Sequence, residues 1–188
     1  HYGADIMNSV SIATEWRPES NFLEESQSFT ASTARVSVKL LAPFVVAAQE
    51  LGLRVDVGLA GVGLSRSDLE NPDLRVSHAL VDRMLRGALA QSGERDLGLL
   101  AAEHLQPDHL DIVEYTARAQ STLRGAIEHS IRYYALLHDG FEADLQIMDD
   151  RAVLSVGFGS LPVAECSLEF VLAVHLMAAR RMTGLQAL

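Results

Sequence analysis

The sequence predicts an α+β domain that is mostly helical. Apolar residues recur with a helical period from Val36 onward, whereas the two segments 141–147 and 152–158 alternate apolar and polar residues as strands do. The chain has 188 residues, 48% of them apolar, which suits one domain with a core of its own. We expect a series of helices, a β-hairpin between the central and last helices, and a final helix.

Residues 1–34 differ from the rest of the chain. Ser, Thr, Glu and Asn are frequent there, and no apolar period persists. We interpret this stretch as a leader or tag-like segment that is poorly structured, with partial order around Trp16 and Phe22. Residues 35–188 then form the expected folded domain.

Two helices are predicted at the start of the domain, and the second of them is short. The first runs from Val36 to Leu51, where Gly52 ends it, and Pro43 must lie near a start or a kink because proline has no backbone N–H. The second covers 54–64 and is broken by its glycines.

The next two helices have clearer boundaries. Between Ser77 and Ala90 the apolar residues fall on one face, Ser77 can cap the start, and Gly93 closes the end. A shorter helix, Leu97 to Leu105, stops before Pro107.

The centre of the domain holds one ambiguous and one strong helix. Residues 110–119 fit either a strand or a helix, and we prefer the helix. Ser121 or Thr122 then caps an amphipathic helix that ends at Asp139-Gly140. Five residues share its apolar face: Leu123, Ile127, Ile131, Tyr134 and Leu137.

The hairpin is predicted by alternation on both sides of a turn at Asp149-Asp150. Two strands alone are marginally stable, so their edges call for further strands, and nothing later in the chain supplies them. We therefore expect an incomplete sheet, which either another protomer or chain beyond Leu188 would complete.

Pro162 is predicted to open the last helix, which is apolar on most sides from Leu168 to Ala179 and is therefore expected to be buried. Its longest apolar run, 170–179, is too short to span a bilayer, and no signal peptide opens the chain, so a cytoplasmic protein with no membrane contact is expected. Cys166 cannot form an internal disulfide and is interpreted as a small core residue.

The charge balance argues against direct binding to nucleic acid. The formal net charge is −10, and Lys39 is the only lysine. Binding to a phosphate backbone depends on clustered Lys and Arg.

The stretch GVGLSRSDLENPD, residues 61–73, resembles a phosphate-binding turn only at first sight. Its glycines do not form G-x-G-x-x-G, and no Gly-Lys-Ser/Thr follows. We interpret Gly61 and Gly63 as the end of a short helix, Ser65 or Ser67 as a cap, and 71–73 as a break before the next helix.

Catalytic and metal signatures are weak. The densest group of possible metal ligands matches no established spacing, so a solvated helix junction explains it better than a metal-dependent hydrolase; the group is His104, Asp108, His109, Asp111 and Glu114. Ser160 lacks the second glycine of a nucleophile elbow. We expect no enzyme activity, no metal and no cofactor.

An ordered series of short motifs is similar to the arabinose-binding-like effector domain of AraC-type transcriptional regulators. It comprises 61–64 with Leu69, Pro72-Asp-Leu-Arg-Val76, Asp96-Leu-Gly-Leu99, Ser121-Thr-Leu-Arg-Gly-Ala126 and Arg132-Tyr133, and the resemblance covers about residues 36–184. The proline that usually precedes the threonine of the Ser-Thr-Leu motif is absent, and 110–114 replaces a glycine pair of the family.

The resemblance implies a regulatory domain that binds a small-molecule effector, dimerises, and biases DNA binding through a C-terminal helix-turn-helix domain absent from this sequence. Polar residues on otherwise apolar helices give the predicted ligand pocket, because such sites are apolar with a few convergent polar groups; they are Tyr115, His129, Tyr133 and His175. The alternative is an interaction or dimerisation module without a ligand. In that case the two histidines are ordinary core residues with satisfied hydrogen bonds.

Overall fold

The structure is a computed structural model, and it describes residues 33–93, 96–148 and 151–185. The predicted leader therefore lies almost wholly outside the described residues, as do Trp16 and Phe22. The described part has an α+β fold whose elements follow one another as β1 (Arg35–Ser37), α1 (Val38–Glu50), α2 (Val55–Ala60), β2 (Arg75–Ser77), α3 (His78–Ser92), α4 (Leu97–Glu103), α5 (Ile112–Arg118), α6 (Leu123–Tyr134), β3 (Glu142–Ile147), β4 (Ala152–Gly157) and α7 (Glu165–Thr183).

Two three-residue strands, β1 and β2, pair antiparallel in front of α1 and α3. Val36 lies opposite Val76, and a single bridge also joins Val36 to His138. The prediction that a helix begins at Val36 is thus wrong by two residues. The reason is that the pairing of β1 with β2 joins segments far apart in sequence, which no local pattern reveals.

Two helix ends agree with their predicted chemistry, at Thr122 and Gly93, whereas α6 ends at Tyr134 and does not extend to Asp139-Gly140 as predicted. The Thr122 hydroxyl accepts from the Gly125 amide at 3.1 Å, and Gly93 ends α3 with a positive φ of 66°. Ser77 precedes α3 as predicted, but its side chain makes no capping bond. The last helix begins at Glu165 rather than at Pro162, and buried Leu161 and Ala164 anchor the connection before it.

The glycine-rich stretch joins helices, as predicted. Gly61 follows α2, Gly63 takes a positive φ of 76°, and a single 3₁₀ turn covers Arg66–Glu70. The Ser65 amide donates to Asp68 Oδ2 at 2.7 Å at the start of that turn. These bonds are local, and they account for the polar residues of the stretch without a phosphate.

Pro43 lies inside α1 instead of near its start, and a histidine from another element compensates for it. A residue with an N–H at this position would bond to the Lys39 carbonyl. Here His109 Nε2 donates to that carbonyl at 2.8 Å. The segment between α4 and α5 is thereby fixed to the side of α1.

Helices α4 and α7 cross at very short range at Gly98. A Cβ on this residue would lie 2.2 Å from the Cys166 carbonyl oxygen and 2.7 Å from Glu169 Cβ, so only glycine fits. Cys166 is fully buried there, as predicted, and burial raises the pKa of its thiol to about 12. Phe170, Val171 and Ala179 of α7 are buried as well, whereas Val174 and Met177, which line a cavity, are only partly buried.

Strands β3 and β4 form the predicted hairpin, with Ile147 opposite Ala152. The predicted turn residues, 149 and 150, lie outside the described residues. Within the described ranges neither edge of the hairpin pairs with another strand, so the sheet is incomplete, as expected. Phe141 and Phe158 at the base of the hairpin pack towards Tyr134 and His138 of the core.

Five residues from three segments form a cluster that we call the histidine latch: Arg35, Arg75, His78, His138 and Asp139. Arg75 Nη2 donates to Asp139 Oδ1 at 2.6 Å, and the Arg35 amide donates to Asp139 Oδ2 at 2.8 Å. His78 and His138 are both buried, and their rings are joined by a 3.0 Å bond between His78 Nδ1 and His138 Nε2.

No helix among the described residues is long and apolar enough to cross a membrane.

Candidate functional site

A cavity of about 520 Å³ lies between the end of α4, the segment after it, and helices α5, α6 and α7. Most of its lining is apolar, and it includes Leu105, Leu110, Val113, Leu123, Ala126, Ile127, Val174, Met177 and Met182. Small-molecule sites have this size and this apolar character, with a few polar groups for orientation.

One polar group on the cavity wall has no partner. Tyr134 is 1% exposed, and its hydroxyl makes no hydrogen bond within the described part of the chain. Burial raises the pKa of this phenol, so the hydroxyl stays protonated. An unsatisfied buried hydroxyl costs about 1–3 kcal/mol, which a hydrogen-bonding ligand would recover in part.

His175 and Ser130 form a second polar pair on the wall. His175 Nδ1 donates to the Val171 carbonyl at 2.8 Å, because a carbonyl can only accept. Burial lowers the pKa of His175, more than this hydrogen bond raises it, so the ring is neutral. Its Nε2 is then an acceptor for the Ser130 hydroxyl, which lies 3.3 Å away.

Charged side chains lie at the exposed edge of the cavity. Glu114 Oε2 accepts from the Leu110 amide at 3.1 Å, and Arg118 forms an ion pair with Asp108. Arg181, in the last turn of α7, has no hydrogen-bond or ion-pair partner among the described residues. Arg181 is therefore a positive charge at the edge of the cavity that a ligand could contact.

The wall between α4 and α5 is held in an unusual backbone conformation. Asp108 and Asp111 have positive φ values of 66° and 47°, which cost a residue other than glycine about 1–3 kcal/mol each. Ion pairs from Lys39 to Asp111 and from Arg118 to Asp108 hold them there, together with the bond from His109 to α1. Strained segments of this kind are often found beside binding sites.

The structure brings one of the four predicted pocket residues, His175, to the cavity. Tyr115 is 68% exposed on α5. His129 bonds to the Gly125 carbonyl of its own helix at 3.0 Å, and Tyr133 lies next to it, with the ring centroids 6.3 Å apart. Neither His129 nor Tyr133 lines the cavity.

Sequence reasoning missed Tyr134 and Ser130 as pocket residues. Tyr134 falls on the predicted apolar face of α6, and Ser130 lies four residues before it on that side of the helix. The signal was a tyrosine among aliphatic residues, because its hydroxyl needs a partner wherever the ring is buried.

The possible metal ligands between α4 and α5 are engaged separately. His104 Nε2 lies 3.0 Å from Glu50 Oε2, His109 bonds to a carbonyl, and Asp108, Asp111 and Glu114 have the partners given above. Across the described ranges, no three His, Cys, Asp or Glu side chains converge as a metal site would require.

A second cavity of about 280 Å³ lies between α1, α2 and α3, beside Gly58 and Gly61. None of the buried polar atoms that lack a partner in the described residues belongs to its lining. The cavity at α5, α6 and α7 is therefore the stronger candidate for a ligand site.

A mostly helical α+β domain with an apolar cavity and few polar groups has the features of a small-molecule-binding domain. The chain belongs to the family described as the arabinose-binding domain of AraC transcription regulators, N-terminal, whose family model matches residues 52–187. It is an effector-binding domain of an AraC-type regulator, as its sequence motifs predict.

A curated relative is the "Ornithine utilization regulator" of Pseudomonas aeruginosa. It is 29% identical to this chain over 100 residues, which are 53% of this chain and 29% of the relative. The chain thus matches less than a third of the length of that protein.

Proposed function

We propose that this domain senses a small-molecule effector in the cavity between α5, α6 and α7 and thereby controls a helix-turn-helix domain in the same regulator. The observation that carries this proposal is the largely apolar cavity of about 520 Å³, which has among its lining residues the buried Tyr134, whose hydroxyl has no partner in the described part of the chain. Family membership supports it independently. We propose Tyr134, Ser130 and His175 as the polar contacts, in place of the predicted set that included Tyr115, His129 and Tyr133.

The control would operate by a shift in population. An effector that binds one arrangement of the cavity walls better than another favours that arrangement. The wall between α4 and α5 suits this role, because it lines the cavity through Leu105 and Leu110 and is tied to α1 through His109.

The test is a thermal-shift screen of a metabolite library against the 188-residue chain and its Ala126→Phe variant. Ala126 is buried on the cavity wall, so a phenyl ring there fills the space a ligand would use. Binding at 100 times Kd stabilises a folded protein by about 2.7 kcal/mol, which corresponds to several degrees in Tm. We expect such a shift in the parent chain and none in Ala126→Phe.

The matched control is Ala135→Leu, which adds bulk at an exposed position at the end of α6, away from the cavity lining. It should keep the ligand-induced shift. A library that moves no Tm, or a ligand that stabilises Ala126→Phe as much as the parent chain, contradicts sensing in this cavity.

We propose in addition that the domain self-associates through the β3–β4 hairpin. Neither edge of the hairpin has a partner strand in the described ranges, and Ile147 and Met148 at its tip are 49% and 40% exposed. Open strand edges are ready templates for pairing with another chain. A ligand-free interaction module would rest on the same surface, and the library screen distinguishes it from the sensor.

A further inference from the structure

The charged side chains that line the cavity differ in whether they already have a partner, and this difference favours one sign of charge on the ligand. Glu114 is the one carboxylate among the described lining residues, and its Oε2 already accepts from the Leu110 amide. Of the two arginines, Arg118 is paired with Asp108, whereas Arg181 is free within the described residues. A cationic ligand would compete for a carboxylate that already accepts from the backbone at the start of α5, whereas an anionic ligand would find a guanidinium with no partner among the described residues.

The inner polar groups carry no charge. The ring of His175 is neutral, with its Nδ1 hydrogen committed to Val171, and Ser130 and Tyr134 offer hydroxyls. An ionised group deep in the cavity would lose its hydration without gaining a counter-charge, which is strongly unfavourable. The inner part of a ligand must therefore be apolar or carry a neutral oxygen.

The spacing along α7 gives the scale of the ligand. Arg181 follows His175 by six positions in one continuous helix, which is about 9 Å along the helix axis. The wall between them is apolar, with Val174, Met177, Ala178 and Met182 on the same side of the helix. A hydrocarbon chain of medium length spans that distance.

We propose that the effector is an apolar monocarboxylate, whose carboxylate meets Arg181 at the mouth and whose hydrocarbon part lies between α5, α6 and α7. This rests on the proposed sensing function and specifies the ligand class for that site. L-Ornithine, which bears two ammonium groups and little apolar surface, lies outside this ligand class. A neutral oxygen at the far end of the hydrocarbon would lie beside Ser130, Tyr134 and His175, and a small rearrangement of the wall would expose the buried Tyr134 hydroxyl to it.

The probes are octanoate, octylamine and L-ornithine, with binding to the 188-residue chain measured by isothermal titration calorimetry. Octanoate and octylamine share their hydrocarbon and differ in the sign of their charge. We expect octanoate to bind more tightly than octylamine, and L-ornithine to give no measurable heat of binding. Absence of octanoate binding, or equal or tighter binding of octylamine, overturns the assignment of ligand class.

Arg181→Gln tests the contact at the mouth, and Arg180→Gln is its matched control, because Arg180 is the adjacent exposed arginine but does not line the cavity. Arg181→Gln should weaken octanoate binding by about two- to fivefold, the range for an exposed ion pair. Arg180→Gln should leave it unchanged. Equal effects of the two substitutions would mean that the arginines attract octanoate only through the general surface charge, and this would overturn the proposed contact with Arg181.

Tyr134→Phe tests the inner end with ω-hydroxyoctanoate. Removal of an unpartnered hydroxyl costs the fold little, so the variant should remain folded. The parent chain should bind ω-hydroxyoctanoate more tightly than octanoate, and Tyr134→Phe should lose that preference while retaining octanoate binding. A preference that survives in Tyr134→Phe overturns the inner contact.

The outcomes separate this inference from the sensing function on which it rests. A library compound of another class that shifts the Tm of the parent chain but not of Ala126→Phe preserves the sensor and refutes the carboxylate. If neither the library nor octanoate binds, both proposals fail.

Discussion

The two histidines of the histidine latch have hydrogen bonds that determine which ring nitrogen carries the proton. The Gly140 amide donates to His138 Nδ1 at 3.0 Å, so the hydrogen of neutral His138 lies on Nε2 and points to His78 Nδ1. His78 Nε2 then donates to the Pro162 carbonyl at 2.8 Å. A proton added to either ring would have to break this chain of bonds.

The pKa of His138 accordingly makes the stability of the domain depend on pH. Burial, together with the nearby His78 and Arg75, lowers this pKa from an ordinary 6.5 to about 3. Between these two pH values the unfolded chain binds more protons than the folded one. This contribution is thus fully present above pH 6.5 and is lost as the pH falls towards 3.

We expect the free energy of unfolding to fall by about 2 kcal/mol between pH 7 and pH 5, as measured by urea unfolding at the two pH values. The lowered pKa of His175 acts in the same direction, whereas the raised pKa values of Glu142 and Glu169 act against it. His138→Phe should be less stable at pH 7 but lose less stability on acidification. An unchanged pH dependence in this variant would contradict the role given to His138.

At the scale of single elements, α1 depends on a residue outside it. Pro43 leaves the Lys39 carbonyl without its helical partner, and His109 supplies the hydrogen bond. The two side chains are therefore coupled although they lie 66 positions apart, the difference between their numbers in the sequence.

A double-mutant cycle measures this coupling. His109→Ala alone should lower the free energy of unfolding by about 1–3 kcal/mol, because it leaves a partly buried carbonyl unsatisfied. In a Pro43→Ala background the new backbone N–H can bond to the same carbonyl, so the cost of His109→Ala should be smaller by about 1 kcal/mol. Urea unfolding of the four proteins gives the coupling, and additive costs would contradict the compensation.

The sequence predicted most elements because their patterns are local. The apolar period of α3 and α6 and the alternation of β3 and β4 each lie within a short window. The strands β1 and β2 have three residues each and no period, so only their pairing defines them. Gly98 was recognised as part of a motif, but the close crossing that requires it appears only in three dimensions.

The residues of the candidate site were harder to predict than the helices and strands, because polar residues that are close in sequence can point to different sides of a helix. Tyr133 and Tyr134 are neighbours in sequence, yet they differ by about 100° around α6. The second lines the cavity and the first does not. His175 was singled out because its helix is apolar on most sides, which makes any polar residue on it conspicuous.

At the scale of the whole molecule, the open hairpin predicts self-association. We expect the 188-residue chain to sediment as a dimer, and Ile147→Lys to shift it to the monomer, because a charge at an exposed strand position opposes strand pairing. Val57→Lys, which alters an exposed valine on α2, is the matched control and should leave the dimer intact. A parent chain that sediments as a monomer contradicts the proposal.

The histidine latch has a consequence for the speed of folding. Its bonds join positions that are 40, 60, 64 and 104 residues apart, so large loops must close before it forms. Contacts of such long range are costly to form early, which favours helices first and the latch afterwards. Interactions made after the transition state chiefly slow unfolding. The latch therefore sets how long a folded molecule persists more than how quickly it folds.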